Sequence, residues 1–112
     1  MEIERVAFVF AAKDWGKDLA LFELLFGPPT FVDGHSWAQF DSGGSRLCLA
    51  GPDQGIDESA ILLKVGDLDA ASREFTGQHG EVGPLQIGEH EERVIARSTE
   101  GRQVVFYRPV VQ

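Results

Sequence analysis

The chain has 112 residues, enough for one domain with a real core and too few for two of ordinary size. Hydrophobic residues make up 43% and charged residues 25%, an ordinary globular balance that excludes disorder, collagen and coiled coil as the main state. The net charge is −8 and the 10 lysines and arginines are scattered, so no basic stripe awaits nucleic acid, anionic membrane surfaces are disfavoured and cationic ligands are drawn in.

Ile3 to Ala12, rich in Val and Phe, reads as a strand. Asp14 can cap the helix that follows, where Trp15, Leu19, Phe22 and Phe26 recur at helical spacing. Gly27 ends that helix, and Pro28 and Pro29 forbid its continuation. Three short strands are predicted next, Thr30–Val32, Trp37–Phe40 and Arg46–Ala50, broken by Asp33-Gly34 and Gly43-Gly44 turns.

A polar loop from Gly51 to Ser59 precedes a restart of the pattern. Ala60–Val65 reads as a strand, Asp67 as a cap, and Leu68, Ala71, Ser72 and Phe75 as the inward face of a second helix. Gly80 follows that helix. A weaker strand is predicted around Glu81–Ile87, then strands at Arg93–Arg97 and Gln103–Tyr107 on either side of a Glu100-Gly101 turn.

The two halves repeat. Ala7 maps to Ala60, Asp14 to Asp67 and Gly27 to Gly80, each 53 residues on, and Gly44 maps to Gly101 at 57, with GEHEE supplying the longer loop. The predicted class is α+β, one domain over 1–112 made of two βαβββ modules: module one about 1–51, a linker about 52–59, and module two about 60–112. Strand alternation assigns the bulky residues of the first strand, Phe8 and Phe10, to the helix-covering face and Ala7, Val9 and Ala11 to the opposite, inner face. Arg46, Cys48 and Ala50, then Ala60, Leu62 and Lys64, and finally Gln103, Val105 and Tyr107 fall on the same inner side.

The stretches VAFVFAAKDWGKDLALFELLFG, DSGGSRLCL, AILLKVGDLDAA and STEGRQVVFY, in that order, resemble the vicinal oxygen chelate superfamily of glyoxalases, bleomycin-resistance proteins and extradiol dioxygenases. The resemblance covers nearly the whole chain. It implies a curved, U-shaped mixed sheet with helices on the outer face, and a homodimer. Metal-dependent members place His, Glu or Gln at four inner-face points, which fall here on Ala7, Cys48, Ala60 and Val105. Three of these offer a metal no donor and a lone cysteine holds no divalent ion, so no metal and no other cofactor is expected. His35, His79 and His90 fall at turns or at a helix end, off the inner face.

The candidate ligand-binding set is Trp37, Phe40, Arg46, Cys48, Leu62, Lys64, Gln103 and Tyr107. Flat aromatic faces suit aromatic and cationic ligands, and polar tips in an apolar cleft orient them. Cys48 is the one nucleophile available; a reactive thiolate needs a nearby cation, which Arg46 could supply, and otherwise Cys48 is a small buried hydrophobe. As the only cysteine it forms no intrachain disulfide. With no spanning apolar run and no basic leader, the expected location is the cytoplasm.

The expected function is therefore metal-independent sequestration of a small organic molecule, aromatic or cationic, with no nucleic-acid or membrane partner. The alternatives are a glyoxalase-like or dioxygenase-like enzyme with an atypical site, and a regulatory or interaction module with a collapsed cleft.

Overall fold

A computed structural model describes residues 1–110. The chain divides into two compact units. One runs from Ala7 to Ala60; the other joins Met1–Val6 to the chain from Ile61 onward.

In the first unit, strand β1 (Ile3–Ala11, whose first residues count with the other unit) leads into helix α1 (Trp15–Phe26). Two carboxylates hold the start of α1. Asp14 accepts from the Lys17 N–H at 3.2 Å, and Asp18 accepts from the Lys13 and Asp14 N–H groups at 2.7 and 3.2 Å. Gly27 terminates the helix at φ 85° and donates its N–H to the Glu23 carbonyl.

Strands β2 (Phe31–Asp33), β3 (Trp37–Ser42) and β4 (Ser45–Ala50) follow, with the order β2-β3-β4-β1. The β3–β4 hairpin needs positive φ at both turn residues, and Gly43 and Gly44 supply 57° and 82°. β1 lies parallel to β4, with Val9 opposite Cys48.

The core of this unit is Ala38, Phe40 and Leu49 under Trp15, Leu19, Phe22 and Phe26. The ring centroid of Phe40 lies 5.7 Å from that of Phe22 and 6.2 Å from that of Phe26. Leu49 faces α1 as strand alternation predicts, but the expected packing is corrected elsewhere: α1 lies over β3, where Ala38 admits it closely, and Phe40 fills volume assigned to Phe8 and Phe10. Phe10 meets Phe22 edge-on at 5.9 Å yet stays partly exposed, and Phe8 is exposed.

The loop after β4 contains one 3-10 turn (Pro52–Gln54), then β5 (Ser59–Val65) enters the second unit. Asp67 caps helix α2 (Leu68–Gln78) by accepting from the Ala70 N–H at 3.0 Å. The weak strand expected at Glu81–Ile87 is split by Gly83-Pro84 into β6 (Gly80–Val82) and β7 (Gln86–Ile87), both antiparallel to β8 (Glu91–Ser98). β9 (Gln103–Pro109) completes the order β5-β9-β8-β6. Val65, Leu68, Ala71, Val94, Ala96 and Phe106 form this unit's core, with Phe75 edge-on to Phe106 at 5.8 Å.

Parallel and antiparallel pairs occur side by side with two helices, the α+β class the sequence predicts. Among the described residues no helix is long and apolar enough to cross a membrane.

Candidate ligand site

The register of the first unit sorts its side chains into two faces. Trp37 pairs with Ala50, Gln39 with Cys48 and Asp41 with Arg46, so these six share the face opposite α1 with Ala7, Val9 and Ala11. The Arg46 guanidinium grips Asp41 with two bonds, Nε to Oδ1 at 2.9 Å and Nη2 to Oδ2 at 3.3 Å. Its side chain is 23% exposed, and its charge is turned to Asp41 on the neighbouring strand. Ala7, Val9, Cys48 and Ala50 have no exposed surface, whereas Trp37, Gln39 and Arg46 are half-buried.

Trp37 and Phe40, expected together, therefore stand on opposite faces. Phe40 is a fully buried member of the α1 core, because residues three apart on a strand point to opposite sides. Trp37 remains on the sheet face with Arg46. Cys48 shares that face but is sealed from solvent.

In the second unit the face opposite α2 carries Leu62 and Lys64 from β5, Gln103, Val105 and Tyr107 from β9, and Arg93, Ile95 and Arg97 from β8. Tyr107 lies directly across from Arg93, whose Nε donates to Gln86 Oε1 at 3.0 Å. Leu62 and Gln103 are buried, while Lys64 and Tyr107 are half-buried. Glu91, on the same face, titrates above the ordinary carboxylate range because burial disfavours its charged form; Arg93 and His90 oppose that shift only in part.

Each unit has an open concavity of its own. Against α1, about 400 Å3 is lined by Phe10, Phe22, Leu25, Phe26, Leu47 and Leu49, with Lys13 and Asp18 at one end. In the other unit about 500 Å3 is bordered by Glu4, Lys64, Glu92 and Arg108, with Arg108 Nε 2.9 Å from Glu92 Oε2.

No protein-family model and no curated protein matches the sequence. Solved structures do match the fold. One is described as a glyoxalase/bleomycin resistance protein/dioxygenase superfamily member from Vibrio splendidus 12B01, at 11% identity and a TM-score of 0.71, over 93% of this chain and 97% of that one. The chain has the vicinal oxygen chelate fold. The same fold is shared with a protein described as an NAD-dependent benzaldehyde dehydrogenase from Legionella pneumophila, at 14% identity and a TM-score of 0.78, over 95% of this chain and all of that one. A protein from Staphylococcus aureus matches at 15% identity and a TM-score of 0.67, over 98% of this chain and all of that one.

The divalent metal of that fold's metal-dependent members finds no fitting donor set at the four expected points. Ala7, Ala60 and Val105 have hydrocarbon side chains, and Cys48 offers a single thiol. All four are buried. Among the described residues no three His, Cys, Asp or Glu side chains converge elsewhere.

The sequence reading missed Gln39 and Asp41 on β3, and Arg93, Ile95 and Arg97 on β8. The signal for the β8 set is in the alternation: once Val94 and Ala96 are core, their odd-numbered neighbours belong to the other face.

Proposed function

We propose that the protein is a metal-independent binder of a small organic molecule, flat and aromatic or cationic, acting as a cytoplasmic homodimer. What supports this reading is the row Trp37, Gln39 and Asp41–Arg46 on one sheet face, together with the hydrocarbon side chains at Ala7, Ala60 and Val105. The half-buried Trp37 indole offers a flat π surface for stacking and for a cation. The Gln39 amide offers a donor and an acceptor, and Asp41 fixes the plane of the Arg46 guanidinium. Affinity comes from aromatic burial and orientation from the polar groups. The net charge of −8 favours a cation in the approach.

The test is calorimetric titration with a panel of flat aromatic cations (acridinium, phenanthridinium and quinolinium dyes), with and without EDTA. The expected result is binding that EDTA leaves unchanged and Trp37→Ala weakens about tenfold or more, in line with ~1–3 kcal/mol for one aromatic stacking platform. Binding that disappears with EDTA and returns with a divalent metal overturns metal independence. Unchanged affinity in Trp37→Ala, or no binding across the panel, overturns the site.

A further inference from the structure

In the unit that carries α2, the ends of four strands surround one cavity. β1 and β8 begin there, and β5 and β9 end there. The space between them is about 500 Å3, within the range of small-molecule sites. Four charged side chains line it: Glu4, Lys64, Glu92 and Arg108. Arg108 and Glu92 answer each other, Nε to Oε2 at 2.9 Å.

The other two charges do not. Glu4 stands over Gly66, where an added Cβ would lie 3.6 Å from Glu4 Oε2, and Lys64 is two residues before that glycine. Yet among the described residues neither the Lys64 ammonium nor the Glu4 carboxylate has an ion-pair partner within 4.0 Å or a side-chain hydrogen bond. Lys64 is half-buried, so its ammonium has lost part of its hydration with no acceptor in return. Carboxylates are not scarce in a chain with 18 acidic residues against 10 lysines and arginines. What the cavity holds is a gap between two opposite charges.

We propose that this cavity binds an α-amino acid with an aliphatic side chain, its carboxylate on Lys64 and its ammonium on Glu4. Charge complementarity selects the class. A plain carboxylate answers Lys64 but faces Glu4, and the net charge of −8 opposes its approach. A plain amine answers Glu4 and leaves Lys64 unmet. A zwitterion answers both and enters the field of the protein with no net charge. Val65, Pro109 and Val110 supply the apolar wall for the side chain. This site lies in a different unit from the row at Trp37 and does not depend on it.

Isothermal titration calorimetry at pH 7 tests this with L-leucine, glycine, 4-methylpentanoate (leucine without its ammonium) and 3-methylbutylamine (leucine without its carboxylate). The expected result is that L-leucine binds and each of the other three binds about tenfold more weakly or worse, having lost a charged contact or the apolar one. Lys64→Met, which keeps the stem, and Glu4→Gln, which keeps the shape, are each expected to weaken L-leucine about tenfold, and Lys64→Arg to retain it. Far-UV circular dichroism and the melting temperature confirm that the variants fold, and the analogue series needs no variant at all. An amine as tight as L-leucine means that the acidic surface draws any cation, and overturns the site. A 4-methylpentanoate as tight as L-leucine overturns the role of Glu4, and a glycine as tight overturns the aliphatic side chain. No L-leucine binding at millimolar concentration, or unchanged affinity in both charge-removing variants, overturns the proposal outright. None of these outcomes bears on the dyes that test the Trp37 row.

Discussion

Truncating Phe40 separates the two roles its ring was open to, ligand contact and core. The side chain has no exposed surface and lies against Phe22, which itself meets Phe26 at 5.5 Å and Phe10 at 5.9 Å. Phe40→Ala leaves a cavity that α1 can close only by sliding on the sheet, and such a change costs ~3–5 kcal/mol. That is a large share of the ~5–15 kcal/mol holding a domain of this kind together. With a urea slope of ~1–3 kcal/mol/M, the unfolding midpoint falls by roughly 1–5 M. Phe40→Leu keeps most of the volume and costs about 1.5 kcal/mol or less. The assay is equilibrium urea unfolding followed by far-UV circular dichroism and by Trp15 fluorescence, since Trp15 sits in the same cluster. A double-mutant cycle with Phe22→Leu adds a coupling of ~0.5–1.5 kcal/mol for the ring pair. A Phe40→Ala protein with a wild-type midpoint but impaired ligand binding refutes the assignment of the β3 faces.

Two further outcomes follow from the second unit and from the loop after β4. Burial raises the Glu91 pKa above its ordinary value of 4.5, so the folded state resists ionising this group. Below about pH 4.5 the group is protonated folded or unfolded and has no effect; as pH rises through the folded pKa, ionisation removes stability. Glu91→Gln is therefore expected to raise the melting temperature at pH 7 and to leave it unchanged near pH 4; a lower melting temperature at pH 7 contradicts the burial argument. At Gly51 an added Cβ falls on the His35 carbonyl oxygen and within 3.0 Å of the Ser36 Cα, both backbone atoms. Gly51→Ala should lower the melting temperature by about 10 °C, from an overpacking cost of ~1–3 kcal/mol; a shift under 2 °C would mean the loop yields freely.

Much of the fold is written locally. Asp14 and Asp67 cap their helices, and Gly43-Gly44 sets the hairpin, because each acts through a neighbour a few residues away. The repeat is real at the caps yet conceals a difference. Gly27 ends a helix at φ 85° with open space where a Cβ would go, whereas Gly80, 53 residues on, opens β6 at φ 157° where a Cβ would strike the Arg97 carbonyl oxygen. One residue type at matched positions thus answers two physical demands. The sequence does not reveal which strands α1 covers, because Phe8, Phe10, Phe40 and Leu49 are all bulky enough to serve. Their choice depends on the small Ala38 beneath the helix. Alternation correctly sorts the faces within each unit, placing Trp37 with Arg46 opposite α1 and Lys64 with Tyr107 opposite α2, whereas nearness in sequence to Trp37 misplaces Phe40, which faces the α1 core.

The hydrocarbon side chains at Ala7, Ala60 and Val105 also constrain how this chain can change over generations. Building a metal centre there requires imidazoles or carboxylates at several points that lie buried, and substitutions arrive one at a time. Each intermediate places a polar group in a closed position with no ion to bind, at ~1–3 kcal/mol for the unmet hydrogen bonds and about as much again for the added bulk. Two such steps reach the lower end of the ~5–15 kcal/mol available to a folded domain before any metal returns the favour. A metal centre at these points would therefore have to be built through proteins that barely fold, whereas polar substitutions in the half-buried row around Trp37 carry a smaller desolvation cost.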